Sequence, residues 1–336
     1  MARGIAQPAG LSLAAFANSA LRLWPLPGEA VARLVNLSEN ATFRVDASGG
    51  FRAILRVHRD GYHAREAIES ELAWMQALGQ SGTVRVPGVH AGLDGRPVQR
   101  VGIEGTSGFR HLVLFEFVDG SHPDEAGNLA PLFADLGAVA ARLHRHASAW
   151  TPGAGFQRPN WDLDQVFGRS PTWGDWRDAP GVTPAAREAL EEVEREICAR
   201  LDAFGRDSDR YGLVHADMRL ANLLLGADGL QVIDFDDCGF GWFLYDFAAA
   251  VSFMEDDPGI PALKAAWVRG YRTVRPLSEA ELAEMDSLVM LRRMALLAWI
   301  GSHGEAPEAA ARAPGFAKAT VRLGRKWLRS LRERGN

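Results

Sequence analysis

The sequence changes character once, at Asp119-Gly120, and that change constrains the fold more than any other feature. Before it, the apolar runs are short and β-rich. Thr42 to Val45 and Ala53 to Val57 are two such runs within residues 31 to 59, and Asp46-Ala47-Ser48-Gly49-Gly50 between them is turn chemistry, so they read as a hairpin. From about His63 to Leu78, Ile68, Leu72 and Met75 recur at i, i+4 and i+7, one face of a helix that Gly79 and Gly82 end. Strand-like pieces follow around Val84 to Val89 and Val98 to Ile103, and the run from His111 to Gly120 reads as a buried strand. After Gly120 helical patterns take over. Residues 129 to 147 are an alanine-rich helix and residues 184 to 204 a charged one, with a Pro-, Gly- and Trp-rich loop over 157 to 178. A β-rich first third and a mainly helical remainder predict an α+β chain in two parts, residues 1–117 and 118–336.

The 336 residues suffice for one large domain or two lobes. A formal charge of -5 gives no ground for general nucleic-acid binding. Two cysteines, Cys198 and Cys238, exclude a disulfide-dense scaffold and a Cys-rich zinc site, and fit a reducing cytoplasm. The N-terminal stretch lacks a continuous apolar run before a small-residue cleavage site and reads as an amphipathic helix. The apolar stretch from Met290 to Ile300 is interrupted by Arg292 and Arg293 and is too short to cross a bilayer, so it reads as a core helix and no membrane partner is expected. Seven basic residues from Lys318 to Arg334 read as a solvated helix face.

The chemistry concentrates in His215, Asp217, Asn222 and Asp234. Asp217 and Asn222 share one short loop. Asp234 ends the next strand, after an Asp228-Gly229 turn, so a tight hairpin brings Asn222 and Asp234 side by side. Two carboxylates and an amide converging there repel unless a cation sits among them. Magnesium favours such oxygen ligands and leaves positions open for phosphate oxygens. Phosphoryl transfer needs that metal, and a carboxylate to orient the attacking hydroxyl and accept its proton.

HADMRLAN followed by VIDFDD resembles the aminoglycoside-phosphotransferase-like branch of the protein-kinase-like superfamily, which also holds choline, homoserine and hydroxylysine kinases and a bacterial stress-response kinase. Ala216 stands where that family usually has Gly. The resemblance implies a bilobal fold, ATP and Mg2+ as cofactors, Asp217 as the catalytic base, Asn222 and Asp234 as metal ligands, and His215 as a structural brace. It gives Arg219 the task of stabilising charge on the transferring phosphoryl group. Asp236 and Asp237 either assist the metal or bond loop amides, the second being favoured; Asp246 reads as a helix cap or brace, and His144 as structural. In the first part, Arg56 lies mid-strand where the family has Lys or Arg for the ATP phosphates. Glu71, preferred to Glu66, lies near the inward face of the following helix, and a carboxylate buried there needs a partner such as Arg56. Ser38 and Asn40 fall in the phosphate-covering loop, which has no GxGxxG pattern. Glu116 and Val118 occupy the hinge, where backbone groups would bond adenine.

The acceptor is less legible. The resemblance implies a small molecule with a hydroxyl, often also an amine, and Trp161, Asp162, Asp164, Trp173, Asp175 and Trp176 are candidates to meet it, although tryptophans in a loop also serve as anchors. The C-terminal run LRRMALLAWIGSHGEAP resembles the stress-response branch and keeps a Ser/Thr protein kinase open. A third reading is a nucleotide-binding regulator without turnover. Only eight residues separate Asp237 from Asp246, too few for the usual peptide-docking segment, so a small-molecule kinase is preferred.

Overall fold

The computed structural model describes residues 12–37, 40–103 and 105–335. The chain divides into two compact units. One runs to Gly120 and takes in Pro152–Arg158; the other comprises Ser121–Thr151 and Pro159–Asn336.

The first unit is built on an antiparallel sheet. Its strands are β1 (Ala30–Leu37), β2 (Ala41–Ala47), β3 (Arg52–Val57), β4 (Val89–His90), β5 (Val98–Gly102) and β6 (Phe109–Glu116), in the order β1-β2-β3-β6-β4 with β5 also on β6. The expected hairpin is β2–β3. The stretch before β4 is not a strand, because Val89–His90 alone pairs with β6. Helix α1 (Leu13–Ala20) packs Phe16 and Ala17 into a core with Trp24, Phe43, Val45, Leu55, Leu112 and Leu114. Helix α2 (Arg65–Ser81) buries Ile68, Leu72, Met75 and Leu78, the predicted face plus one turn. It ends on Gly82 in the left-handed region (φ 62), whereas Gly79 stays helical.

The second unit is mainly helical: α3 (Ala130–Ala149), α4 (Leu163–Phe167), α5 (Pro184–Phe204), α6 (Tyr245–Ala250), α7 (Ile260–Arg272), α8 (Glu279–Ser302), α9 (Pro307–Arg312) and α10 (Phe316–Gly335). Its strands are few and short. β7 (Asn160–Trp161), β11 (Gly239–Trp242) and β8 (Tyr211–Val214) form one sheet, and β9 (Leu223–Gly226) and β10 (Gly229–Val232) a hairpin. Helices α3 and α7 touch backbone to backbone. A Cβ on Gly270 would lie 1.7 Å from the Ala134 carbonyl oxygen, and one on Gly137 2.1 Å from that of Trp267, so only glycine fits at the crossing. Helix α8 starts with a full capping box between Ser278 and Glu281. Among the described residues, no helix is long and apolar enough to cross a membrane.

Candidate active site

In the first unit, Arg56 sits mid-β3, opposite Thr42 on one side and Val113 on the other. Its Nη1 donates to Glu71 Oε1 at 2.7 Å, with side chains only 8% and 0% exposed. The guanidinium also lies over the Phe115 ring, 4.8 Å from its centre. Glu66 is exposed in the first turn of α2. Asn40 is buried, and its side-chain oxygen accepts the Arg59 amide at 3.1 Å. Ser38 lies outside the described residues. Glu116 closes β6 with its amide donating to the Gly88 carbonyl at 2.8 Å. Val118 follows, just before Asp119, whose carboxylate takes a forked pair of bonds from Arg52 at 2.7 and 2.6 Å.

In the second unit, the β9–β10 hairpin does what its spacing predicts. Leu223 stands opposite Val232, and the Ile233 amide donates to the Asn222 carbonyl at 3.0 Å, so Asn222 and Asp234 flank one hairpin mouth. The Asn222 amide nitrogen bonds the Asp217 carbonyl at 2.9 Å and Oδ2 at 2.7 Å, which leaves its side-chain oxygen as the atom to offer a cation. Asp234 is exposed beside it. An amide oxygen and a carboxylate are hard donors of the kind Mg2+ takes. Asp236 is buried and Asp237 half-buried.

The loop before Asp217 is braced from α6. Asp246 is not a cap for its own helix. Its Oδ1 accepts the Ala216 amide at 2.7 Å, and its Oδ2 accepts the His215 amide at 3.1 Å and the His144 ring at 2.8 Å. His144 Nδ1 accepts from the Tyr271 hydroxyl at 2.9 Å, and that oxygen takes an N–H of Arg275 at 2.9 Å. The α3–α7 glycine crossing lets Tyr271 and His144 meet. His215 Nδ1 accepts the Asp217 amide and its Nε2 donates to the Ile233 carbonyl, both at 3.2 Å. Burial pushes both histidines below their usual value, so each is neutral in this network.

The Asp217 carboxylate is held on both oxygens. Oδ2 meets Arg219 Nε at 3.3 Å as well as Asn222, and Oδ1 meets Arg292 Nη2 at 2.7 Å. Burial alone would raise its pKa, but Arg219 and Arg292 hold it below the ordinary aspartate value. Arg219 also gives Nη1 to Glu308 on α9 at 2.7 Å. Asp217 first, then Glu308, push its pKa up against burial. Neither Arg292 nor Glu308 was singled out by the sequence as part of this site. The available signal was a pair of arginines inside the apolar run Met290 to Ile300, since buried guanidinium groups need partners.

The loop tryptophans belong to the core: Trp161, Trp173 and Trp176 are all buried. Asp162 caps α4 and pairs with Arg206, and Asp175 caps the 3-10 turn Trp176–Asp178. Asp164 is exposed on α4.

Comparison with known proteins narrows what this arrangement does. The family model described as the phosphotransferase enzyme family, APH, matches residues 31–279. The structure of a microcompartment-associated aminopropanol kinase superposes with a TM-score of 0.86 at 44% identity, covering 94% of this chain and 97% of that one. The amicoumacin kinase of Bacillus subtilis is 25% identical over 251 residues, 72% of this chain and 71% of that protein. A homoserine kinase of Gluconobacter oxydans is 31% identical over 175 residues, 47% of this chain and 49% of its own length.

Proposed function

The chain belongs to the APH phosphotransferase enzyme family, and we propose that it phosphorylates a small amino alcohol of the aminopropanol type. It is a kinase that moves a phosphoryl group from ATP to a hydroxyl of a small molecule. The observation that carries the narrower reading is the 44% identity to an aminopropanol kinase along nearly the whole of both chains. The intact Asp217, Asn222 and Asp234 set supports turnover rather than nucleotide sensing alone.

In this reading the acceptor hydroxyl oxygen attacks the γ-phosphorus. The bond from that phosphorus to the β,γ-bridging oxygen breaks, ADP leaves with the electron pair, and Asp217 takes the hydroxyl proton. Two cations beside Asp217 make it a weak base, which suits a loose transition state in which the proton leaves late. Its main task is then to orient the hydroxyl. Asn222 and Asp234 would hold Mg2+, which when bound supplies charge neutralisation at the phosphates. Arg56, oriented by Glu71, would pair with the α- and β-phosphates, and the Glu116 carbonyl and Val118 amide would meet adenine. The sparing use of cysteine, Cys198 and Cys238 alone in 336 residues, suits a reducing cytoplasm as the place of work.

The test is ADP release with ATP and Mg2+ across 1-amino-2-propanol, ethanolamine, homoserine and a generic protein substrate. The reading expects the amino alcohols to give the highest kcat/KM. Preference for homoserine or for protein by a factor of ten or more would overturn it (about 1.4 kcal/mol in transition-state stabilisation).

A further inference from the structure

Arg292 is the most deeply buried cation near the reacting carboxylate. It projects from α8, its side chain 2% exposed, between the rings of Trp173 and Tyr245, 5.1 and 5.8 Å from their centres. Nη2 bonds Asp217 Oδ1 at 2.7 Å and Nε bonds Ser252 Oγ at 3.1 Å, and the guanidinium also interacts with the Tyr245 hydroxyl. A buried ion pair is a poor way to stabilise a fold, because desolvation of the two charges offsets much of their attraction. Packing alone would be served as well by an apolar side chain of similar volume.

The backbone around Arg292 and Asp217 points the same way. Among the described residues, three non-glycine residues have positive φ: Ala216 at 65°, Asp234 at 64° and Phe253 at 69°. Ala216 precedes Asp217, Asp234 stands at the hairpin mouth, and Phe253 follows Ser252, the anchor of Arg292. A bulky residue in the left-handed region is costly and persists where its surroundings fix it. Phe253 is held by Trp299, Phe316 and Arg312. The strained positions thus include the turn that carries the Arg292 anchor as well as the catalytic loop.

Lone-pair arithmetic shows what the grip does. A carboxylate has roughly four lone-pair directions. Asn222 and Arg219 occupy those of Oδ2, and Arg292 occupies one on Oδ1, so the direction left for an acceptor hydroxyl is on the oxygen that Arg292 holds. We propose that Arg292, anchored by Ser252, is a positioning residue that fixes the Asp217 carboxylate so that this remaining direction faces the acceptor. This rests on Asp217 being the base.

Four single variants and one double variant test it, each compared with wild type for kcat, both KM values and thermal unfolding. With Arg292→Met, kcat falls about 100-fold while KM for ATP and for 1-amino-2-propanol stay within about threefold, the split expected of an interaction used only in the transition state. Arg292→Lys recovers part of the loss, since an ammonium reaches Asp217 but cannot also hold Ser252. Ser252→Ala lowers kcat about three- to tenfold in wild type and changes little in the Arg292→Lys background, as coupled residues do. The proposal is overturned if Arg292→Met keeps kcat within threefold of wild type, or if the losses merely follow the unfolded fraction and Ser252→Ala adds in full. Asp217→Asn separates the two layers. An inactive Asp217→Asn beside an unaffected Arg292→Met sinks only the positioning role, whereas an active Asp217→Asn sinks the base and the positioning role with it.

Discussion

Each unit of this chain holds a buried arginine–carboxylate pair that includes a proposed site residue, and the two pairs differ in which member is the more exposed. Arg56–Glu71 and Arg292–Asp217 have the same 2.7 Å contact. In the first, the carboxylate is fully buried and the cation slightly exposed (0% and 8%); in the second, the cation is nearly fully buried and the carboxylate is the more open group (2% and 14%). In the proposed mechanism Glu71 would orient Arg56 towards phosphate and Arg292 would orient Asp217 towards the hydroxyl, and in each of these two pairs the proposed working member is the more exposed one.

Breaking the second pair at its working member gives the largest effect. Asp217→Asn lowers kcat by about 10²–10⁴, with ATP affinity within a few-fold, read by steady-state turnover and nucleotide titration. Breaking the first pair at its supporting member acts on stability and ATP binding together. Glu71→Gln leaves Arg56 buried without its carboxylate and costs about 3–5 kcal/mol in denaturant unfolding, with a raised KM for ATP and little change in KM for the acceptor. Next comes the brace behind the base. Burial keeps His144 neutral between Asp246 and Tyr271, with its folded pKa depressed. The unfolded state therefore binds the proton more readily. The stability this contributes is full above the unfolded value near 6.5, and falls away as pH drops from there towards the folded value. His144→Gln flattens that limb of the unfolding curve.

Smaller again is Ala216→Gly. Ala216 occupies the left-handed region at φ 65, held there by Asp246, and the family's usual glycine adopts that conformation without Cβ strain. The substitution stabilises by about 0.5–1 kcal/mol once the added freedom of the unfolded chain is counted. At the bottom of the scale, Arg332→Ala removes an exposed contact to Glu192 and changes stability by about 0–1 kcal/mol, the contrast that shows burial matters more than ion pairing as such.

The first pair was legible in the sequence because both partners sit in regular elements. Arg56 is mid-strand where the resemblance implies a basic residue, and Glu71 lies next to Leu72 on a periodic helix face, so the resemblance and the helix period together point to the pair. The hairpin that joins Asn222 and Asp234 was legible for the same reason, since a short turn between two apolar runs fixes what lies opposite what. Arg292 was not, because its partner stands 75 positions earlier and only the packing of α8 against the loop joins them. Asp246 reads in the sequence as a helix cap or a brace, and the brace is what its contacts make it; which amides it holds, those of His215 and Ala216, comes from a tertiary contact that local propensity does not encode. The tryptophan loop leaves two readings open in the sequence, acceptor contact or core anchoring, and burial of all three rings fits the second. Aromatic and acidic residues clustered in sequence look like a site for a cation, yet the rings are core and two of the acids are caps.

The most direct test of the account is acceptor-dependent ADP release with 1-amino-2-propanol, wild type against Asp217→Asn, at saturating ATP and Mg2+. The account predicts rapid release with wild type only when the amino alcohol is present, and at least about 100-fold less with Asp217→Asn while ATP still binds. Release that ignores the amino alcohol, or that survives the Asp217→Asn change, would contradict it.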